Sequence, residues 1–465
     1  MISLAAVNAP LEPDRQTRSE LAAQALSYLD DWYDRAGTMP VGAGVTDEQI
    51  LATLAREPSE EGSDLASLLA VLTAAAQGGI NHLSGGHMSY IPNSGLYTAA
   101  LGELLAAGLN RYTGVADSAP GFTAIEHGVV AWLRSLFMMG PESSGLLLSG
   151  GSMANFTAIV TARTDKLGDE FNNGVLYVTS HTHHSAAKAA RLAGFRDDQV
   201  VPIGVDSNLR MNTGALVAQI QADRANGLKP FLVVASAGTT NTGTVDPLEE
   251  MAEIVADQDI WLHVDAAYGG FFQLTDRGRE VLRGIEQADS VALDPHKGLS
   301  IPFGVGAIIV QREQSLVDAH EGRGAYLFYE DSHMGLRDIS SLGPELSRPF
   351  RGLSVWLPLQ LHGIGPFREA LDYSLDLAGH AFERLSAIDG VDARWKPDLS
   401  VVGVMFDDDR LGQAALDAVN EDRTTHLSPT IIDERFVLRF AILNRRTTID
   451  HVDHAIDIIE KTLRG

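Results

Sequence analysis

Four short clusters of chemically capable side chains stand out in this chain, each just past a run of apolar residues. Asp294-Pro295-His296-Lys297-Gly298 follows the run Ser290–Leu293. A lysine ending an apolar strand is costly to bury unless it loses its proton or is engaged covalently. Lysine freed of its proton is the residue type of Schiff-base chemistry. A lysine that only snorkels at a strand end is the plainer reading of so short a motif. The second cluster is His263-Val264-Asp265-Ala266-Ala267. A carboxylate there can hold a ligand cation or a ring N–H, or simply cap the next helix. Asp265 precedes Lys297 by 32 residues, one strand–helix–strand step, so neighbouring strands would aim both at one pocket. The third, Ser149-Gly150-Gly151-Ser152-Met153-Ala154-Asn155, is a Gly-rich turn between a strand and a helix, whose free N–H groups suit phosphate. It lacks the lysine of a P-loop, and no dinucleotide fingerprint follows any strand. The fourth, His181-Thr182-His183-His184, has three histidines in four residues. Neither an HExxH pattern nor a well-spaced acidic ligand accompanies them, so a metal site is not expected; one histidine stacked on a flat cofactor fits better.

These clusters need elements to carry them. Between residues 80 and 345, short β-rich runs alternate with helical ones: Gly145–Ser149, Val175–Thr179, Phe231–Ala235, Ile260–Val264, Ser290–Leu293 and Gly306–Gln311, with helices such as Met153–Leu167 and Leu248–Asp257 between them. That alternation predicts an α/β unit with a mostly parallel sheet covered by helices on both faces. Ligands sit at the carboxyl ends of such strands, where the four clusters lie. Residues 1–80 read as an N-terminal helical segment suited to packing on a partner subunit, with Thr46 and Gln49 as a capping box. Residues 346–465 read as a smaller α+β domain: one long helix over Leu353–Ile388, strands Val401–Phe406 and Phe436–Ala441, and closing helices.

Composition removes several function classes. The 465 residues include no cysteine, which excludes disulfides, Cys-ligated zinc, iron–sulfur clusters and thiol catalysis. With 35 basic against 61 acidic residues, the net charge of −26 disfavours nucleic acid and anionic membranes as partners. The segment Met1–Asp14 lacks the pattern of a secretory signal and no apolar run suits a membrane span, so the expected location is the cytoplasm.

A Schiff-base lysine, an aspartate for a ring nitrogen, a phosphate turn and a stacking histidine together describe a site for pyridoxal 5'-phosphate. On these motifs, in this order, the chain resembles the group II pyridoxal-phosphate decarboxylases, which include the aromatic amino acid, glutamate and diaminobutyrate decarboxylases. The resemblance extends from about Tyr90 through Ala119-Pro120 and Glu126 to Val437–Ile442. It implies the aspartate-aminotransferase-like fold type I, a homodimer with active sites at the interface, and decarboxylation of an L-amino acid to its amine and CO₂. By the same resemblance Lys297 is the Schiff-base lysine, Asp265 the partner of the pyridine nitrogen, Ala267 the residue beneath the ring and His184 the stacked histidine. Gly151 and Ser152, with Asp294 and His296, fall where the family holds the phosphate, and Thr240 at another cofactor contact. Tyr90 and Asn93 match the substrate-side segment, and Tyr112 the one reaching the neighbouring site. Gly298 stands where many members carry an aromatic residue, and His82 and Ile91 replace aromatics near the substrate. In the family a loop tyrosine protonates Cα. Here the matching stretch, about His320 to Leu346, offers Tyr326 and Tyr329, with Ile339 near the family position. That leaves Tyr326, Tyr329 or His184 as the acid, or aldehyde formation by reaction with oxygen. Another carbon–carbon lyase reaction uses the same cofactor residues. A non-catalytic scaffold has no chemical need for Lys297, Asp265 and His184 together.

Overall fold

The computed structural model describes residues 11–42, 48–322 and 335–464. Seven strands, β1 (Ser144–Leu148), β2 (Gly174–Thr179), β3 (Val200–Ile203), β4 (Lys229–Ser236), β5 (Trp261–Asp265), β6 (Ser290–Leu293) and β7 (Gly306–Val310), form one sheet. Their spatial order is β1-β7-β6-β5-β4-β2-β3. The β2–β3, β2–β4, β4–β5 and β5–β6 pairs are parallel, while β7 runs antiparallel to both β6 and β1. Strands such as Gly-Ala-Ile-Ile-Val in β7 are buried along their whole length. A sheet covered on both faces selects continuous apolar runs rather than alternation. This is the α/β, mostly parallel arrangement of fold type I, and β5 and β6 are neighbours as the 32-residue step requires.

A second, antiparallel sheet has the order β10-β11-β9-β8, from β8 (Val391–Asp392), β9 (Val401–Phe406), β10 (Ser428–Ile432) and β11 (Arg435–Ala441). The helices Gly365–Ser386, Asp409–Asp422 and Ile449–Arg464 share its apolar core. The single long helix expected over Leu353–Ile388 is in fact two, Gly352–His362 and Gly365–Ser386. Gly363, with φ +70°, ends the first, a conformation glycine adopts without steric cost. That first helix packs on the helices Tyr97–Leu109 and Pro120–Leu136 rather than on the smaller sheet.

At the N-terminus, Arg15–Ala36, Glu48–Leu54 and Leu65–Ala76 are helical. Asp14 and Asp64 cap the first and third by accepting from Thr17 N and Ser67 N. Thr46 lies outside the described residues. The helix Leu65–Ala76 is Leu-Ala-Ser-Leu-Leu-Ala-Val-Leu-Thr-Ala-Ala-Ala, yet buries none of its residues. Among the described residues no helix is long and apolar enough to cross a membrane.

Tyr326 and Tyr329 also lie outside the described residues. Chain beyond them is pinned down. Ile339 is buried against the larger sheet's core, Asp338 accepts from Ala116 N at 2.7 Å, and Arg348 makes a bidentate pair with Glu126 at 2.7 and 2.8 Å. Ile339 is thus a core residue here, not a group presented from a loop.

Candidate active site

Two glycines shape the turn after β1. Gly150 has φ +155°, and a Cβ on Gly306 of β7 would lie 2.4 Å from Gly150 Cα. The strand and the turn therefore touch backbone to backbone, which only glycine permits. Helix Gly151–Leu167 starts there, and its N-terminus looks into a cavity of about 300 Å³. A Cβ on Gly151 would reach Ala267 Cβ and Asp294 Oδ2 at 3.0 Å, so the glycine keeps this floor open.

Strand β6 delivers Asp294 and then a short helical turn, Pro295–Gly298. Lys297 sits on that turn, one-quarter exposed, with Nζ 2.8 Å from Asp294 Oδ2. Lys297 thus stands on the turn after the strand, paired with Asp294, rather than buried on the strand end itself. His296 donates from Nδ1 to the Val305 carbonyl at 2.7 Å, and its Nε2 lies 3.6 Å from Asp294 Oδ2. Burial lowers the His296 pKa, with Asp294 opposing the shift.

Neighbouring β5 delivers Asp265. Its Oδ2 accepts from Asn155 Nδ2 at 2.8 Å and its Oδ1 from Ala267 N at 3.1 Å. Asn155 is on the Gly151–Leu167 helix, so the Gly-rich turn and Asp265 are tied together by one side chain. Lys297, Asp265, Ala267, Gly151, Ser152, Asp294, His296 and Thr240 all line the same cavity.

The remaining expected residues lie elsewhere. The cavity wall carries His183, while His184 is exposed, its ring 4.2 Å from that of His183. Asn93 is buried with its amide engaged: Nδ2 donates to Ile301 O at 2.8 Å and Oδ1 accepts from Gly95 N at 2.7 Å. It braces the chain instead of presenting a free group. Tyr90 is exposed with φ +56°, its backbone held by Ser428 Oγ and Arg439. Tyr112 is exposed and donates from its hydroxyl to Leu346 O at 3.1 Å. At Gly298 a Cβ would lie 2.6 Å from Phe271 Cβ, so Phe271 fills the space an aromatic side chain at 298 would need. His82 packs edge-on against His87 and Phe303.

Sequence reasoning passed over Asn155, Ser185 and His183 as individual groups. Asn155 ends the quoted Gly-rich motif, and its polar amide on an otherwise apolar helix face was the signal available. No group of three or more histidine, aspartate or glutamate residues poised for a metal occurs among the described residues.

The conserved-domain model for pyridoxal-dependent decarboxylases matches residues 48–393, most of the chain. The chain belongs to the pyridoxal-dependent decarboxylase family. The aromatic-L-amino-acid decarboxylase of Bacillus atrophaeus is 33% identical over 459 residues, covering 95% of this chain and 94% of that protein. In fold the chain is similar to Oryza sativa TDC, solved with PLP and tryptamine, at a TM-score of 0.92 and 24% identity over 98% of this chain and 99% of that one. It is also similar to Rhodiola rosea 4-hydroxyphenylacetaldehyde synthase, at a TM-score of 0.89 and 24% identity over 97% and 98% of the two chains. The protein is a pyridoxal-dependent amino acid decarboxylase, and its cavity fits that cofactor. A helix N-terminus kept open by glycine suits the phosphate, a carboxylate suits a protonated ring nitrogen, and a lysine stands within the same walls.

Proposed function

We propose that this decarboxylase converts an L-amino acid to its amine and CO₂, with Lys297 as the covalent anchor and Asp265 as the partner of the pyridine nitrogen. The observation that carries the assignment is the arrival of both side chains at one cavity from adjacent parallel strands. When bound, pyridoxal 5'-phosphate supplies an electron-poor ring that receives the electrons of the Cα–carboxylate bond as CO₂ departs. Asp265, held by Asn155 and Ala267 N, keeps a proton on the ring nitrogen and so favours that flow. Gly151 and Ser152 offer backbone N–H groups to the phosphate, with Thr240 and His296 beside them. Asp294 takes the role of counter-ion to Lys297 in this reading, since a carboxylate would repel a phosphate. In this reading Ala267 would back one face of the ring, and His183, with His184 beside it, the other. Tyr90 and Tyr112 stand on the substrate side, with Asn93 fixing the backbone between them.

The same proposal includes a homodimer in the cytoplasm. The apolar, unburied helix Leu65–Ala76 and the exposed Leu104, Leu105 and Leu109 need a covering surface. A second copy placed there would also complete the substrate side around Tyr90 and Tyr112. The N-terminal helices would then be the dimer-packing unit, residues 81–345 the cofactor-binding domain and 346–465 the small domain.

The test is chemical. Borohydride treatment of the loaded protein should attach the cofactor irreversibly to the peptide carrying Lys297, and Lys297→Ala should be colourless. A panel of amino acids, scored for CO₂ and for amine against aldehyde, then identifies substrate and product. Labelling of a different lysine would overturn the assignment.

A further inference from the structure

The hydrogen bonds around Asn155 have only one consistent set of directions. Asp265 Oδ2 can only accept, so the nitrogen end of the Asn155 amide faces it at 2.8 Å. The second N–H of that nitrogen reaches Ser185 Oγ at 2.9 Å. Ser185 Oγ could accept a second bond, but the Ser185 backbone N–H already points at His183 Nδ1, so that nitrogen is an acceptor and the hydroxyl gives it its proton at 2.7 Å. The Ser185 backbone N–H approaches the same Nδ1 at 3.3 Å. Two donors therefore converge on Nδ1, which must carry a lone pair.

The other end of the amide enforces this orientation. Asn155 Oδ1 lies 2.9 Å from His263 Nε2, which must donate to it. His263 Nδ1 then accepts from Ser290 Oγ at 2.8 Å, and Ser290 Oγ accepts from Trp261 Nε1 at 2.8 Å. His263 and Ser290 are fully buried, and burial pulls the His263 pKa down to about 4, which keeps its ring neutral. Turning the Asn155 amide over would set N–H against N–H and oxygen against carboxylate in a buried place, where neither clash is relieved by water.

We propose that Asn155 and Ser185 are positioning residues that lock His183 in the Nε2–H tautomer, so that the ring offers a hydrogen-bond donor, not a base, to the cavity shared by Asp265 and Lys297. His183 lines that cavity. Its Nε2 makes no hydrogen bond among the described residues and is not sealed from solvent. With Nδ1 blocked and Nε2 already protonated, the ring cannot accept a proton without breaking the relay. It can donate to an acidic oxygen, such as the carboxylate of an amino acid. That last consequence rests on the proposed function; the tautomer does not. One amide thus orients both the carboxylate on β5 and the imidazole after β2.

The test is ¹⁵N NMR of the full-length holoenzyme labelled with [¹⁵N]histidine, with His183→Gln to assign the signal. The groups that bear on the ring's charge are Asp265 and Asp294, which favour protonation, and His184 and Lys297, which oppose it, beside a dominant burial effect against it. The expected result is a neutral His183 with its proton on Nε2 at neutral pH. In Ser185→Ala one donor to Nδ1 is lost, so the protonation midpoint should rise by about one pH unit, with Nδ1–H signal emerging. Ser185→Thr keeps the hydroxyl and should restore the wild-type pattern. An Nδ1–H tautomer in the wild type, or a Ser185→Ala protein with unchanged His183 signals, would overturn the proposal. If the tautomer is as stated but no amino acid releases CO₂, the proposed function fails while this inference stands.

Discussion

Asp265→Asn separates the chemical role of the carboxylate from its structural one. Asp265 accepts two hydrogen bonds, from Asn155 Nδ2 and from Ala267 N. An amide can satisfy only one of them, because its NH₂ end must oppose the other donor. A buried, opposed donor costs about 1–3 kcal/mol. With an unfolding entropy of about 2 cal/mol/K per residue, a cooperative chain of this length loses roughly 1–3 °C in Tm. Activity should fall much further, since the neutral amide no longer stabilises a positive ring nitrogen; a lost contact of that kind lowers turnover by ~10²-fold or more. The exchange Asn155→Asp with Asp265→Asn gives each side chain the other's role. Position 265 then donates to 155 and still accepts from Ala267 N, His263 still finds an acceptor, and Ser185 Oγ, no longer offered an N–H by position 155, turns its proton toward the new carboxylate and away from His183 Nδ1. The double variant should therefore regain the lost Tm while turnover stays low. The assays are a thermal melt of the loaded protein and CO₂ release under saturating substrate. Near-wild-type turnover in Asp265→Asn would reduce Asp265 to a packing residue, and a double variant no more stable than the single one would refute the pairing logic.

Glu126→Ala strands the Arg348 guanidinium, which has no exposed side-chain surface, and should cost about 3–5 kcal/mol in denaturant unfolding; a loss below 1 kcal/mol would show that the pair is dispensable. His87 is fully buried with neither ring nitrogen hydrogen-bonded among the described residues, and burial, helped by His82 and His426, lowers its pKa to about 3. Its neutral form is the folded one, so its contribution is full above the ordinary pKa of 6.5 and is lost as pH falls toward 3. His87→Phe should flatten the stability-against-pH curve across that window without loss at pH 8; an unchanged acid slope would assign the effect to other groups. Gly306→Ala drives a methyl to 2.4 Å from Gly150 Cα and should displace the turn at the helix N-terminus. Cofactor affinity measured by absorbance should then fall at least ~10-fold, and unaltered affinity would mean that the turn does not hold the phosphate.

Much of the site was legible because its residues sit in contiguous motifs that end strands. Asp265 and Lys297 come from successive strands of a parallel unit, and β5 and β6 pair side by side, so their convergence followed from spacing. The Gly-rich turn announced a helix N-terminus in the same way. Residues joined only by folding were less visible. Asn155, Ser185 and His263 are spread across 108 residues and meet through hydrogen bonds of 2.9 Å.

What the sequence by itself determined was the alternation of strands and helices, the absence of thiol chemistry, and the short motifs placed at strand ends. These depend on local periodicity and residue type, which the linear order preserves. Tertiary structure decided which histidine of the His183–His184 pair lines the cavity, and that Asn93 is a brace instead of a free amide. It also decided that Ile339 is core and that Phe271 occupies the space beside Gly298. Each of these depends on which way a side chain points once distant segments pack. One residue of offset along an irregular turn reverses that direction without changing composition or pattern.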